Sequence, residues 1–356
     1  MHPTKQKHRS SGPESTTSRS SSTPGWITES INGGSLRHVD LHTGVNGWAS
    51  PPGDLFSLRS KNYFIKKQKS PSGDYLLSPA GMDWLKSSTK LDNVLARPDN
   101  RVANALKKAQ SQNKSLKSFI FAINLQVPGK DQHSAVFYFA SEDPLPSDSL
   151  LYRFINGDDA FRNQRFKIVN RIEKGPWVVK KTVGNYSACL LGKALNINYH
   201  RGGNYFEIDV DVGSSKIAAA ILHLALGYTA HVTIDMGFVV EAQTEEELPE
   251  RLIGAIRVCQ MEMSTARVVD SPSTGLARGS GFAKVEHHLS GDEEEDWRAG
   301  VGWYFFFYYL VLGFGFFFLS LTKLQWGLVV VVDNNNNKKR LKITMLGFYI
   351  LKKSKI

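Results

Sequence analysis

The stretch LNINYHRGGNYFEIDVDV, residues 195–212, decides the fold class. Two runs of strand-forming residues flank the turn sequence RGGN, which predicts a hairpin of two antiparallel strands. In the second run apolar residues alternate with acidic ones, namely Phe206, Ile208, Val210 and Val212 with Glu207, Asp209 and Asp211. Because successive side chains of a strand point to opposite faces, one face is apolar and the other acidic. The pattern predicts an antiparallel sheet that is buried on one side.

The row of three carboxylates on this strand has two interpretations. Residues two apart on a strand lie roughly 7 Å from each other, which is compatible with a metal site or an acid-base site. We favour the wet face of a sheet, because no His or Cys accompanies the carboxylates at ligand spacing. His200 can approach Asp209 or Asp211 across the hairpin, so a hydrolase or transferase using these residues stays as an alternative. No other catalytic residue, and no metal or cofactor, is predicted.

The neighbouring segments extend the same mixed pattern. SFIFAINLQV and SAVFYFA predict a second hairpin, and FKIVNRI and HVTIDMGFVVEA predict further strands. SSKIAAAILHLALGY predicts a helix that is apolar nearly all round and therefore buried, and GPWVVKKTVG predicts a short helix. Helices are also predicted at residues 78–85, at residues 99–109 and in TEEELPERLIGAIRVCQMEM, where Thr244 and Glu247 form a capping box. The predicted fold class is α+β, an antiparallel sheet built from hairpins with packed helices in one globular domain.

The stretch RFINGDDAFRNQRFKIVNRIEKGPW, residues 153–177, places two aspartates ahead of a run of basic residues. We interpret the aspartates as the cap of a short helical turn and not as catalytic acids. Arg162 and Arg165 then lie in a tight turn near Arg153, and these three residues form a candidate site for an anion or a lipid head group. The alternative is a solvated or ion-paired loop.

The formal net charge of +11 is concentrated at the ends of the chain. Residues 1–24 hold four basic residues and one acid, residues 333–356 hold seven and one, and residues 25–270 hold 29 and 25. The body of the chain lacks the basic excess of a phosphate-backbone binder, so no nucleic-acid partner is predicted. Residues 59–117 hold 13 basic and four acidic residues, and residues 207–250 hold one and nine. These segments are expected to face each other or solvent, or the basic one to face an anionic leaflet.

The two cysteines and the lack of catalytic motifs indicate the cellular compartment and the class of function. Cys189 and Cys259 both lie in apolar surroundings, which predicts reduced, buried thiols in an intracellular protein. No nucleophile elbow, phosphate loop or metal signature is found, so a non-enzymatic function is expected.

Composition divides the chain into five segments. They are a disordered basic Ser/Thr-rich tail at residues 1–24, the globular domain at 25–268, an acidic linker at 269–298, a candidate transmembrane helix at 299–322 and a basic tail at 323–356. The fourth segment contains 24 uncharged residues, which span about 36 Å as a helix. Translated non-coding sequence is the alternative, because seven of the 20 Phe fall between Phe305 and Phe318 and runs of Val, Asn and Lys follow.

Five long motifs between about residues 47 and 264 carry a family resemblance. They are NGWASPPGDLFSLRS, SPSGDYLLSPAGMDWLKSSTKLDNVLARPDNRV, LKSFIFAINLQVPGKDQHSAVFYFA, SLLYRFINGDDAFRNQRFKIVNRIEKGPWVVKKTVGNYSACLLGKALNINYHRGGNYFEIDVDVGSS and DMGFVVEAQTEEELPERLIGAIRVCQMEM. In these motifs the chain resembles the C-terminal domain of the plant Enhanced Disease Resistance 2 family. The resemblance implies a plant protein linked to lipid binding, membranes and negative regulation of pathogen-triggered cell death. It transfers no catalytic or ligand residue. Because no stretch before Gly47 is long enough for the pleckstrin-homology or START domain of longer members, we do not expect the binding properties of those two domains in this chain.

Together these observations predict a non-enzymatic lipid- or membrane-associated regulatory domain in plant defence or cell-death signalling. The expected partners are a lipid or an anionic membrane surface, and a protein partner as well. The expected location is intracellular and membrane-associated. A protein-interaction module without a lipid ligand is the first alternative, and the hydrolase or transferase is the second.

Overall fold

The computed structural model describes residues 23–269 and the backbone of two short strands at residues 330–333 and 340–343. Residues 23–269 belong to one compact unit and the two short strands to another. The helices of the first unit are α1 (Gly25–Asn32), α2 (Tyr63–Lys66), α3 (Arg101–Ser111), α4 (Leu150–Asn156), α5 (Asp159–Asn163), α6 (Trp177–Val183), α7 (Leu191–Ala194) and α8 (Lys216–Leu226).

The strands vary from two to ten residues in length. Those of the first unit are β1 (Arg37–His38), β2 (Gly47–Ala49), β3 (Ser57–Arg59), β4 (Lys69–Pro71), β5 (Ser78–Ser87), β6 (Phe119–Val127), β7 (Gln132–Ser141), β8 (Phe166–Lys174), β9 (Tyr186–Leu190), β10 (Asn196–Arg201), β11 (Tyr205–Asp211), β12 (Thr233–Val240), β13 (Leu252–Cys259) and β14 (Arg267–Val268). In the other unit β15 (Val330–Asp333) pairs antiparallel with β16 (Arg340–Ile343).

Two six-stranded sheets form the body of the first unit. Sheet one has the order β10-β11-β6-β7-β5-β14, and sheet two has the order β1-β2-β13-β12-β8-β9. Most neighbours are antiparallel, and the parallel pairs are β11 with β6, β14 with β5 and β1 with β2. The predicted α+β class with antiparallel-rich sheets and packed helices is confirmed. Both predicted hairpins are present, as the β6–β7 and β10–β11 pairs.

The core between the two sheets is rich in phenylalanine. The ring centroid of Phe238 in β12 lies 5.4 Å from that of Phe137 and 6.0 Å from that of Phe139, both in β7. Phe166 in β8 stacks on Phe238 at 6.3 Å. All four rings are fully buried. Because each such ring pair contributes about 0.5–1.5 kcal/mol beyond the burial of its area, this cluster holds the two sheets together.

The outer faces of both sheets are also covered. Helices α1 and α3 lie on sheet one, where Trp26 and Leu106 pack against Ala122 and Tyr138. The β3–β4 hairpin lies on sheet two, where Phe56 and other apolar residues form a small separate core. With layers on both sides, the central strands are buried on both faces and read as nearly continuous apolar runs.

Two helical connections cross from sheet one to sheet two. The first leads from β7 through α4 and α5 to β8, and the second leads from β11 through α8 to β12. We call them the α4 crossover (residues 142–165) and the α8 crossover (residues 212–232). Helix α4 buries Leu151, Phe154 and Ile155, whereas no residue of α8 is buried. The predicted helix at α8 is confirmed, but its predicted burial is wrong.

Two further helix predictions are wrong. Residues 78–85 lie in β5, where Met82 and Trp84 join the core, so the packing of alternating side chains outweighs the helix-start signal of Ser-Pro. The predicted terminal helix of residues 244–263 contains β13 instead. Every residue of β13 is buried, and a strand covered on both faces imitates helical apolar spacing. The capping box of Thr244 is real, but it closes only the 3-10 turn Glu245–Glu247.

The described part of the chain contains no helix that is both long enough and apolar enough to cross a bilayer. The candidate transmembrane segment at residues 299–322 lies outside the described residues.

Candidate functional site

Arg153 and Arg165, two of the three arginines predicted to hold an anion, meet at the carboxylate of Glu247. Arg153 Nη1 and Arg165 Nη2 each donate to Glu247 Oε1 at 3.2 Å. Glu247 Oε2 accepts two backbone N–H groups of the preceding turn, at 2.7 and 3.3 Å. Both guanidinium groups lie near the ring of Phe161, at 5.5 and 4.2 Å from its centroid. The carboxylate of Glu247 therefore occupies the place between the two arginines where a bound anion was expected.

Arg162 closes the C-terminal end of α4 and does not join the other two arginines. Its Nε donates to the carbonyl oxygen of Phe154 at 3.0 Å, and its Nη2 donates to that of Ile155 at 2.7 Å. Its Nη1 pairs with Asp159 at 2.7 Å. Since the last carbonyl groups of a helix lack partners inside the helix, Arg162 supplies hydrogen bonds that α4 needs.

Two surface depressions flank Arg153, whose side chain is 51% exposed. One of about 440 Å³ is lined by residues of α4 and α5, including Tyr152 and Phe161. The other, of about 360 Å³, is lined by α4 and by residues 246–251, including Arg251. Arg153 is thus the arginine of the three that a ligand from solvent can reach. The three-residue clamp stays a prediction.

A buried ionic cluster joins the base of the β3–β4 hairpin to sheet two. Lys167 Nζ lies 2.7 Å from Glu250 Oε1 and 3.2 Å from Glu241 Oε2. Arg59 Nη2 lies 3.0 Å from Glu241 Oε2, and the Arg59 N–H donates to Glu250 Oε2 at 3.1 Å. Two cations balance two carboxylates, so the cluster carries no net charge. Removing one partner would leave an uncompensated buried charge.

The acidic face of β11, predicted to be wet, is covered by residues 91–97. Glu207 and Asp209 are buried. Glu207 accepts the N–H groups of Val94 and Leu95 at 2.6 and 2.7 Å, and Asp209 accepts that of Asn93 at 2.9 Å. The interpretation as a wet face is therefore wrong. The carboxylates are acceptors for a loop whose backbone donors need partners, since few buried N–H groups are left unpaired in folded proteins.

His200 approaches Asp209 across the hairpin, as the second alternative requires. His200 Nε2 lies 2.8 Å from Asp209 Oδ2, and Asn124 donates to Asp209 Oδ1 at 2.9 Å. The hydrogen bond to Asp209 raises the pKa of His200, and burial together with the nearby Asp209 raises the pKa of Glu207. Asp211 instead pairs with Lys90 at 2.6 Å. The arrangement can hold a proton, and it fixes the loop above it.

A hydrolase or transferase also needs an activated nucleophile or a metal. Cys189 and Cys259 are free thiols whose pKa values are raised by burial, which is the opposite of activation. Among the described residues no group of His, Cys, Asp and Glu is arranged to hold a metal ion. Of the groups that a hydrolase or transferase needs, the described residues thus bring together the His200–Asp209 pair.

The two oppositely charged segments found in the sequence pair with each other. Arg59, in the basic segment, contacts Glu241 and Glu250 of the acidic one, and Lys90 contacts Asp211. The expectation that they face each other is confirmed at these positions.

Helices α6 and α8 form a surface that sequence reasoning missed. They contact each other above a small cluster of Ile172, Val179 and Val232. Trp177 of α6 is 74% exposed and Ile217 of α8 is 49% exposed. We call the two helices together the α6–α8 surface. It presents large apolar side chains to the outside of the domain.

The same surface is basic and has no carboxylate of its own. The sequence has no acid between Glu173 and Glu207 and none between Asp211 and Asp235. Within these segments the two helices themselves hold three lysines, Lys180, Lys181 and Lys216. The absence of acidic residues from these two segments could have identified the surface from the sequence. Charges counted over longer segments, such as residues 207–250, mix the acid-free part with acidic residues.

Comparison with known proteins gives two findings. A family model described as "Protein ENHANCED DISEASE RESISTANCE 2, C-terminal" matches residues 48–262. A curated relative from Arabidopsis thaliana, "Protein ENHANCED DISEASE RESISTANCE 2-like", is 42% identical over 235 residues, which cover 66% of this chain and 31% of the relative. The match thus spans about a third of the length of that relative.

Proposed function

Because this chain belongs to the family of the Enhanced Disease Resistance 2 C-terminal domain, we propose that it is a non-enzymatic regulatory domain that associates with lipid membranes. The proposed setting is plant defence or cell-death signalling, which the name of the Arabidopsis relative supports. The proposed location is intracellular, at a membrane surface. The observation that carries the proposal is the α6–α8 surface.

Helix α8 is apolar on nearly every side, yet none of its residues is buried. Leu222 and Leu226 pack against the core from one side. A helix of this kind normally lies inside a protein or against lipid, because water on one side leaves apolar area uncovered. A bilayer interface would supply the missing cover.

The side chains around α8 suit an anionic interface. An exposed tryptophan such as Trp177 partitions to the head-group level, where its ring is apolar and its N–H finds an acceptor. Lys180 and Lys181 follow on the same helix, and lysines keep their charged ends near lipid phosphates while their stems cover apolar surface. Each such lysine contributes about 1 kcal/mol near an anionic leaflet.

Hydrogen–deuterium exchange of the full chain, with and without vesicles, tests the proposal at the level of single helices. With vesicles that contain phosphatidylserine, we expect slower exchange in peptides that cover α6 and α8 and unchanged exchange in α3. The variant Trp177→Ala with Lys180→Gln and Lys181→Gln should lose most of this protection. Leu116→Ser with Lys114→Gln and Lys117→Gln is the matched control, because it also removes one exposed apolar side chain and two exposed lysines, at another place on the domain. Protection confined to residues outside α6 and α8 would refute the α6–α8 surface as the membrane contact.

A protein partner that covers the α6–α8 surface is the first alternative function. It predicts no protection by vesicles of any composition and protection by a purified partner. The hydrolase or transferase is the second alternative, and the 2.8 Å contact between His200 and Asp209 is the observation that favours it. Turnover of ester or phosphate substrates that His200→Gln abolishes would establish it.

The head-group clamp at Arg153, Arg162 and Arg165 is retained as a proposal about one residue. Arg162 and Arg165 support the fold, so replacing all three would confuse stability with binding. Arg153→Ala alone should weaken binding to anionic vesicles at low salt without changing the melting temperature. Equal binding by the variant and the parent would remove Arg153 from the lipid contact.

A further inference from the structure

The tip of the β3–β4 hairpin is a second basic and apolar surface. Residues 60–69 read SKNYFIKKQK, and residues 55–73 hold five basic residues and no acid. Ile65 is 73% exposed at the apex, on the one-turn helix α2. Lys61, Lys66, Lys67 and Lys69 surround it and are all exposed. We call residues 60–69 the hairpin tip.

The charges of the hairpin tip are not balanced by the domain. Among residues 23–269, none of its four lysines forms an ion pair with a carboxylate. Arg59, at the base of the tip, lies 4.7 Å from the centroid of the Tyr63 ring, and Lys67 lies 5.6 Å from it. Tyr63 and Phe64 are half-buried, which leaves Ile65 as the exposed apolar side chain of the tip.

The base of the hairpin is fixed by buried groups. Phe56 and Leu58 are buried against sheet two. The hydroxyl of Tyr186 in β9 accepts the N–H of Ser57 and donates to its carbonyl oxygen, both at 2.9 Å. Arg59, the last residue of β3, enters the buried ionic cluster described above. That cluster is neutral, so it anchors the hairpin without cancelling the charge of the tip.

We propose that the hairpin tip docks on the anionic surface of a lipid bilayer, with Ile65 at the level of the first acyl carbons and the four lysines among the phosphates. Charge complementarity identifies the occupant, because the tip has only positive charge to offer. Its shape favours lipid over protein, since specific protein interfaces bury about 800 Å² on each partner and a projecting ten-residue tip offers much less. A fluid surface accepts a small convex tip and adds the electrostatic attraction of each lysine.

This contact is independent of the α6–α8 surface, so either one can fail without the other. The two differ in kind, since the hairpin tip is held rigidly and relies on charge, whereas the α6–α8 surface relies on an incompletely covered helix. Hydrogen–deuterium exchange with vesicles distinguishes the two contacts. Slower exchange in residues 60–69 reports the hairpin tip, and slower exchange in α6 and α8 reports the α6–α8 surface.

Two full-chain variants of equal charge test the proposal. The tip variant carries Lys61→Gln, Lys66→Gln, Lys67→Gln and Lys69→Gln. The control carries Lys107→Gln, Lys114→Gln, Lys117→Gln and Lys130→Gln, which are exposed lysines on the other sheet's side of the domain. Binding is measured by co-sedimentation with vesicles of phosphatidylcholine containing about 30% phosphatidylserine, at two salt concentrations. Both variants keep the basic residues 333–356, so that contribution is common to them.

We expect the tip variant to bind on the order of a thousandfold more weakly than the parent at low salt, and the control to stay within about threefold. Ile65→Ser should weaken binding several-fold at both salt concentrations, because its contribution is apolar. Equal losses in the two charge variants would show diffuse attraction only and would overturn the proposal. Unchanged vesicle binding, with lost capture of a purified acidic protein, would replace the bilayer by a protein partner.

Discussion

The α4 crossover and the α8 crossover make the same connection and are built in opposite ways. Both carry the chain from sheet one to sheet two through a helix. At α4, three apolar side chains are buried and the arginines around them are bound by Glu247, Asp159 and backbone carbonyls. At α8, no side chain is buried, and the flanking segments contain no acid.

The α4 crossover therefore contributes to the stability of the domain, whereas the α8 crossover leaves apolar surface open to a partner. Buried apolar groups and paired charges make the α4 crossover a structural joint. A joint with uncovered apolar residues and unpaired lysines gains little stability for the isolated protein. We therefore expect mutations of the buried residues of α4 to lower stability and mutations of α8 to weaken binding.

Phe154→Ala should have the largest effect on stability. Phe154 is fully buried and its ring lies 6.1 Å from the rings of Phe166 and Phe206. Loss of the ring leaves a cavity, and we expect the free energy of unfolding to fall by about 3–5 kcal/mol in chemical denaturation. A loss below about 1.5 kcal/mol would contradict the view of α4 as the structural joint.

Glu247→Gln should rank second. It removes the carboxylate shared by Arg153 and Arg165, and Arg165 is buried. A buried guanidinium without its counter-charge is costly, so we expect a loss of about 2–4 kcal/mol. Glu245→Gln, in the same turn but exposed, is the control and should leave the melting temperature unchanged. If the two variants behave alike, the ion pairs at this crossover contribute little.

Leu222→Ala in α8 should cost less than either change at α4. Leu222 is only partly buried, so we expect about 1 kcal/mol or less in the absence of lipid. Anionic vesicles should widen the gap, since the leucine then contributes to binding as well. Comparing the melting temperatures of Leu222→Ala and the parent, each with and without vesicles, checks this. A loss as large as that of Phe154→Ala would erase the contrast between the crossovers.

The smallest effect concerns pH and β11, the strand that leads into the α8 crossover. The pKa values of Glu207 and His200 are both raised in the folded protein, so folding favours their protonated forms. Their contributions are complete below the ordinary values of 4.5 and 6.5 and are lost as pH rises through the raised values. The free energy of unfolding should therefore fall as the pH rises above 4.5, and fall further as it rises above 6.5.

His200→Gln tests the histidine's share of this slope. Glutamine still donates to Asp209 but does not titrate. Because His200 is partly exposed, its share should be below about 1 kcal/mol. A slope of the opposite sign in the parent, measured by denaturation at several pH values, would show that other groups dominate.

The fold class was predictable because apolar and polar residues alternate along a strand whose two faces have different surroundings. The β10–β11 hairpin shows this, since Phe206 and Ile208 enter the core while Glu207 lies on the opposite face. Prediction failed at β13, where both faces are covered and nearly every residue is apolar. Local spacing cannot separate such a strand from a helix, because the second covering layer comes from the distant β3–β4 hairpin.

The candidate sites were only partly predictable. Arg153 and Arg165 share one carboxylate, but that partner, Glu247, is 82 residues beyond Arg165 and nothing local indicates it. The cover over Glu207 and Asp209 comes from residues 91–97, more than 100 residues earlier in the chain. Such long-range partners are set by the arrangement of the sheets, which spacing within one segment does not encode.

The pairing of β2 with β13 determines when sheet two can be completed during synthesis of the protein. Trp48 lies opposite Val258, so sheet two is completed only after residue 258 has left the ribosome. At about 5–20 residues per second, the ribosome needs roughly 10–40 s to make the intervening chain. During that time the phenylalanines of β6 and β7 have no second sheet to cover them. We expect nascent chains to need a chaperone in this interval, and chains stopped before β13 to aggregate instead of persisting as soluble fragments.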